Sequence, residues 1–213
     1  MSFEYKRKTL VEKLKQEGRI KTDEVKNAFL EVPREEFIPE MIKKYAYVDT
    51  PLEIGDGQTI SAPHMVAIMC EALDIKKGQK ILEIGTGSGY HAAIVSLLVG
   101  KEGHVFTIER LSSLAERAKR NLINAGMKNV TVEVCDGSKG LSSHAPFDRI
   151  YVTCAAPKTP QPLINQLNDP GKLIIPVGRI ICNLKLIEKK GGKLFIDNLG
   201  GCAFVPLVGK YGF

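Results

Sequence analysis

No apolar run in the sequence approaches the ~20 residues that a membrane-spanning helix needs, so no membrane span is expected. The opening residues, Met1-Ser2-Phe3-Glu4-Tyr5-Lys6-Arg7-Lys8, run into a charged stretch without the apolar core of a secretory signal. The expected compartment is therefore the cytoplasm. Cysteine is sparse: Cys70, Cys135, Cys154, Cys182 and Cys202 stand about twenty or more positions apart, so no Cys-x-x-Cys metal or redox pair exists. The four histidines, His64, His91, His104 and His144, also lack the spacing of metal ligands, and no metal site is expected. Low-complexity, collagen-like and coiled-coil compositions are absent as well. Nor is there a basic stripe. The net charge of +6 comes from 30 basic and 24 acidic residues, and the basic pairs and triplets are scattered, as solvated helix ends and turns would be.

What remains is a 213-residue chain, 44% hydrophobic and 25% charged, enough for one compact unit with a substantial core. The first part has helical spacing. Leu10, Val11 and Leu14 mark one apolar face that Gly18 ends, and Thr22-x-x-Val25 opens a second helix that stops near Pro33. Residues 36–57 are rich in Pro, Gly and Asp and read as irregular. A third helix is expected from Pro63, a residue favoured in a first turn, with Met65, Val66, Ile68, Met69, Ala72 and Leu73 on it.

From Lys80 the rhythm changes to strands alternating with helices. Strands are expected at 81–84, 105–108, 130–134, 149–152 and 173–177, with helices at 92–99, 111–125 and 162–167. Such alternation implies right-handed crossovers, a mostly parallel sheet and helices on both faces. Two more strands, 183–187 and 202–207, have no helix between them and are expected to form an antiparallel hairpin at one edge, turning at Gly191-Gly192.

The segment richest in chemistry is Glu83-Ile84-Gly85-Thr86-Gly87-Ser88-Gly89-Tyr90, between a strand and a helix. Ligands of open α/β sheets bind at such strand ends, and glycines let the backbone approach them closely. A plain tight turn is the alternative, but three glycines at alternate positions exceed its needs. The dinucleotide pattern Gly-x-Gly-x-x-Gly fails from Gly85, where its third position falls on Tyr90; from Gly87 it falls on Ala92, an accepted variant in an awkward register. The run resembles instead the S-adenosylmethionine loop of class I methyltransferases, in which the acid ending the strand lies near the amino-acid end of the cofactor. Glu109 ends the next strand and can accept from both ribose hydroxyls, of that cofactor or of NAD. Asp136-Gly137 follows the third strand; its acid can accept from an adenine amino group or simply cap a helix.

Upstream, Asp56-Gly57-Gln58-Thr59-Ile60-Ser61-Ala62-Pro63-His64-Met65 is polar, turn-rich and leads into a helix. A helix N-terminus favours anions, so Ser61 either caps the helix or faces a bound carboxylate, and His64 is a second donor or a surface residue. With the glycine loop, Asp136-Gly137, Ile174-Ile175-Pro176-Val177-Gly178 and Phe204-Val205-Pro206-Leu207-Val208-Gly209, this block closely resembles the protein-L-isoaspartate O-methyltransferase family over nearly the whole chain.

The resemblance implies a Rossmann-like α/β fold, doubly wound, in one methyltransferase domain over 1–213. Residues 1–79 would form a helical part carrying the substrate-side segment, and 80–213 the cofactor-binding core and C-terminal strands. It implies S-adenosyl-L-methionine as cofactor and methyl transfer to isoaspartyl residues of damaged proteins and peptides, by a monomer that uses neither nucleic acid nor membrane. Ser61 would be the catalytic residue, with Thr59, Ile60 and His64 beside it on the substrate side. Glu83, Gly85, Thr86, Gly87, Ser88, Gly89, Glu109, Asp136 and Gly137 would contact the cofactor. Two departures stand out: His91 replaces the Asn of many relatives, and the chain stops at Phe213. A nucleic-acid methyltransferase would carry an Asn/Asp-Pro-Pro-Tyr/Phe motif after the fourth strand; Thr153-Cys154-Ala155-Ala156-Pro157-Lys158 stands there instead. A non-catalytic binding module is disfavoured by the intact loop and its acids.

Overall fold

The computed structural model describes residues 1–213. Helix α1 (Phe3–Gln16) is capped by Ser2, whose hydroxyl accepts from the Tyr5 N–H at 3.2 Å, and it buries Leu10, Val11 and Leu14. Thr22 caps α2 (Asp23–Glu31) in the same way. Two 3-10 turns follow, at Arg34–Phe37 and Glu40–Tyr45.

Residues 52–57, expected to be irregular, form with residues 58–60 a hairpin of β1 (Leu52–Gly55) and β2 (Gln58–Ile60). Its turn is Asp56-Gly57, both at positive φ (55° and 67°), the conformation that two-residue hairpin turns require. The Asp-Gly pair is thus the sequence signal for this hairpin. Arg117 holds it in place by donating to the Ile54 carbonyl and lying 3.7 Å from Asp56. Helix α3 (Pro63–Leu73) begins on its proline and ends at Asp74 in the left-handed region.

The main sheet contains β3 (Lys80–Ile84), β4 (His104–Glu109), β5 (Val130–Val134), β6 (Phe147–Val152), β7 (Leu167–Gly178), β8 (Cys182–Lys190) and β9 (Lys193–Cys202). Helices α4 (Tyr90–Val99), α5 (Ser112–Asn124) and α6 (Gln161–Asn165) connect the parallel strands. The strand order is β5-β4-β3-β6-β7-β8-β9, parallel through β7 and antiparallel beyond it. The chain runs outward from β3 to β5 and returns to the other side of β3, so the topological switch point lies between β3 and β6.

The period-two alternation of buried strands separates the apolar interior into two clusters. Ile81, Val105, Tyr151 and Ile174 face α1 to α5, while Leu82, Ile84, Ile108, Ile150 and Leu173 face α6 and the loops after β5 and β6. The N-terminal helices therefore share one continuous core with the sheet.

Two boundaries differ from expectation. Helix α6 ends at Asn165, and β7 begins at Leu167, the last residue of the expected helix, well before the expected strand start at 173. The last strand is Lys193–Cys202, not 202–207. Gly191-Gly192 joins Lys190 directly to Lys193, and a turn that tight sets the hairpin register at once. The apolar run 203–207 instead passes beneath the loop after β6, where Ala155 donates to the Val205 carbonyl and Leu207 donates to that of Ala155.

Candidate active site

The glycine loop leaves β3 at the switch point and is fastened to both neighbouring strands. The Gly85 and Thr86 N–H groups donate to the Ile108 carbonyl at 2.8 and 3.1 Å. On the other side, the Thr153 hydroxyl donates to the Gly85 carbonyl at 2.6 Å. Gly85 has φ +96°, and a Cβ on it would lie 2.3 Å from that hydroxyl oxygen. No other residue fits there. The Thr86 and Thr107 hydroxyls sit 2.7 Å apart, and Thr107 donates to Glu83. The Ser88 carbonyl accepts from Asn121, which ties the loop to α5. Gly89, at φ +88°, starts α4.

Glu109 ends β4 and accepts the N–H of Arg110 and Leu111 on Oε1 and that of Gly87, at 3.1 Å, on Oε2. Its Oε2 keeps lone-pair capacity on the cavity side. That cavity, of about 520 Å³, is lined by Gln58, Gly85, Gly87, Glu109, Gly137 and the 205–208 segment, among others. Gly137 admits no side chain: a Cβ would lie 2.6 Å from Ile84 Cγ2.

Asp136 is placed differently. Its carboxylate accepts the Ser138 N–H and hydroxyl and the Lys210 N–H, and Gly137 rather than Asp136 lines the cavity. Burial works against its charge, but the bonds from Lys210 and Ser138 hold its carboxyl below the usual carboxylate range. The Asp136 carboxylate thus caps its own turn, and its Oδ2, with one bond from Lys210, keeps acceptor capacity next to the cavity-lining Gly137. The short C-terminal tail folds onto the same place, with Tyr211 N–H on the Ser138 hydroxyl and Phe213 N–H on the Leu207 carbonyl.

Glu83 lies deeper. It is fully buried, and its Oε1 has no partner. Burial, opposed by the Thr107 hydroxyl, pushes its carboxyl up to about 8. Glu83 lines an inner cavity of about 290 Å³ with Ser61, Ile60, Tyr90, His91, Gly85 and Gly87. Thr59, Ser61, His64 and Phe204 line an adjoining outer cleft of about 700 Å³. Thr59 and Thr153 line all three spaces, and Ser61 lines the inner cavity and the outer cleft.

Ser61 does not cap α3; Ala62 occupies the cap position without a side-chain bond. Asp49 takes over the helix terminus, accepting the His64 N–H at 2.9 Å and the His64 Nδ1–H at 2.9 Å. The ring's free nitrogen is then Nε2. His91 is buried against Tyr151, with ring centres 4.4 Å apart, and its Nε2 lies 3.4 Å from Cys70 Sγ. Desolvation pushes its pKa down to about 3, so the ring is neutral.

The family model for protein-L-isoaspartate(D-aspartate) O-methyltransferases matches residues 5–212. The chain belongs to that family. A protein-L-isoaspartate O-methyltransferase from Methanocella arvoryzae is 59% identical over 182 residues, covering 85% of this chain and 97% of its own. Among solved structures, a protein-L-isoaspartate O-methyltransferase superposes with a TM-score of 0.89 at 34% identity, over 97% of this chain and 67% of that one. A candidate member from Plasmodium falciparum, solved in complex with S-adenosyl-L-homocysteine, gives a TM-score of 0.85 at 31% identity, over 95% of this chain and 98% of that one. The Rossmann-like fold with its antiparallel C-terminal edge is thus that of the isoaspartyl methyltransferases, and the cofactor is S-adenosylmethionine. The residues fit it: Glu83 offers an unpartnered buried oxygen for a cationic amino group, in a cavity that the Gly85 and Gly87 backbone lines without side chains.

Of the residues singled out in the sequence, Thr59, Ile60, Ser61, His64, Glu83, Glu109, Gly137 and loop residues 85–88 line these spaces, whereas Gly89 and Asp136 do not. Sequence reasoning passed over Thr153, Arg34 and Tyr90. Thr153 was findable, because it follows the strand across the switch point.

Proposed function

We propose that the chain transfers a methyl group from S-adenosylmethionine to the free α-carboxylate of L-isoaspartyl residues in damaged proteins and peptides. The ester then loses methanol as the following backbone nitrogen attacks its carbonyl and closes a succinimide. Hydrolysis of that ring, away from the enzyme, returns part of the product to normal aspartate. The observation that carries this reading is the position of Ser61, released from helix capping and lining both the Glu83 cavity and the outer cleft.

When bound, the cofactor supplies an electrophilic methyl group on a sulfonium. The substrate carboxylate is ionised near neutral pH, so the protein needs no strong base. Its task is orientation, which can contribute ~7–11 kcal/mol in favourable systems. In this reading the Ser61 hydroxyl donates to the carboxylate and is not a nucleophile. Thr59, Ile60 and His64 form the surrounding substrate wall, with Asp49 fixing the His64 ring. Glu109 accepts from the ribose, Glu83 faces the amino-acid end, and Gly85, Thr86, Gly87, Ser88 and Gly89 form the floor. Asp136 contributes indirectly, by shaping the turn that holds Gly137 against the cavity.

The finer assignments belong to the same proposal. One domain works with residues 1–79 on the substrate side and 80–213 on the cofactor side. In this reading the active species is a monomer. Nucleic acid is not the acceptor; the segment after β6 spends Thr153 on the glycine loop. The working compartment is the cytoplasm, in keeping with five unpaired cysteines.

A labelled-methyl assay tests the reading on an isoaspartyl peptide, its normal aspartyl twin and RNA. Only the isoaspartyl peptide should accept label; equal labelling of the aspartyl twin overturns the reading. Ser61→Ala should lower turnover by on the order of 10-fold or more, the worth of one hydrogen bond to a charged group, and leave cofactor affinity unchanged.

A further inference from the structure

Arg34 opens the 3-10 turn after Pro33 and is 0% exposed. Its Nη2 donates to the Ser61 carbonyl at 2.8 Å, and its guanidinium lies 4.9 Å from the centre of the Tyr90 ring. Its Nε and Nη1 are buried without any partner. No carboxylate lies within ion-pairing distance of it, although the charge of Asp49 favours the guanidinium from further away. Glu35 accepts from Tyr47 and lies 3.9 Å from Arg7, while Asp49 holds His64 at 2.9 Å. A guanidinium stays protonated at any working pH. The interior therefore holds a full positive charge with no ion pair.

Such a charge is expensive to bury, and a single carbonyl bond needs no cation to make it. Both groups that Arg34 touches, Ser61 and Tyr90, line the inner cavity with Glu83. An anion entering beside Ser61 meets the charge across one layer of protein, where screening by water is weakest.

On the reading of Ser61 given above, we propose that Arg34 is a positioning residue. It supplies the positive potential that draws the isoaspartyl carboxylate to Ser61, acting through the Ser61 backbone and the Tyr90 ring rather than by contact. Its charge would then select the ionised α-carboxylate over a neutral group of the same shape.

The test compares an isoaspartyl peptide with its α-carboxamide twin, which has the same shape and no charge, as competing ligands of the full chain. The wild-type protein should prefer the anionic peptide by on the order of 10-fold or more, the scale of a Coulomb attraction at an effective dielectric of about 20. Arg34→Gln should raise KM for the anionic peptide by about that factor, while the inhibition constant of the carboxamide and the affinity for S-adenosylmethionine each shift less than about 3-fold. Arg34→Lys should restore most of the lost preference. Equal weakening of both twins in Arg34→Gln makes the residue merely structural and overturns the proposal. If that variant does not fold, the wild-type comparison decides, since equal binding of the twins overturns it too. A wild-type enzyme that methylates no isoaspartyl peptide at all would instead remove the parent reading of Ser61.

Discussion

The same sheet ends in two opposite ways. At the carboxyl ends of β3 and β4 nearly every atom has an assigned neighbour: Gly85 between Ile108 and Thr153, Glu109 over three N–H groups, Glu83 under Thr107. At the far edge, β9 has one free side and its residues 193–201 are exposed, including Leu194, Phe195, Ile196 and Leu199. The first region is over-determined by packing and hydrogen bonds, so a change of one atom propagates. The second is held by a tight turn and a backbone ladder, which tolerate most side chains. Precision in this protein is concentrated where a ligand must be held.

The sharpest way to break the contrast is at Gly85. Gly85→Ala combines a positive φ with a clash against a hydroxyl that is itself pinned, and should cost about 2–3 kcal/mol of stability together with measurable cofactor binding. Calorimetry finding normal cofactor affinity would mean that the loop is far softer than its bonds imply. Glu109→Ala should weaken cofactor affinity by roughly 1.5–3 kcal/mol, and unchanged titration isotherms would take Glu109 out of the site.

Glu83 gives a pH signature. Its folded pKa, raised to about 8 by burial, lies above the ordinary carboxyl value near 4.5. Folding therefore favours its protonated form. The ligand-free protein should be most stable below pH ~4.5 as far as this group is concerned, and should lose that contribution as pH rises toward 8. Thermal melts from pH 5 to 8 should show a downward slope that Glu83→Gln flattens; an equal slope in the variant assigns the effect elsewhere. The smallest effect belongs to the other end of the sheet. Phe195→Ser, at 54% exposure opposite Glu188, should cost less than about 1 kcal/mol and leave methyl transfer unchanged. A large loss of activity there would extend the site to an edge that now looks unconstrained.

Much of the site was legible because its chemistry sits on local patterns. The glycines follow an apolar strand, Glu109 ends the next one, and Thr59 to His64 form a contiguous block. The β1–β2 hairpin was obscured by its Pro- and Gly-rich surroundings, although Asp56-Gly57 marked its turn. The final strand was misplaced because Ala203 to Leu207 are more apolar than Lys193 to Cys202, and apolarity was read as strand rather than as burial beneath a loop. Asp136 had two readings that sequence could not separate, and one partner of its carboxylate, Lys210, lies 74 positions away.

By itself the sequence determined the alternation of strands and helices, the glycine loop and the family to which they point, because these depend on periodicity and on conformations only glycine reaches. Tertiary structure alone decided that Ser61 is freed from its helix by Asp49, that Glu83 is buried with one oxygen unmatched, and that Arg34 stands behind Ser61 as an unpaired charge. Burial and the identity of distant neighbours set those properties, and neither is encoded in any local stretch of the chain.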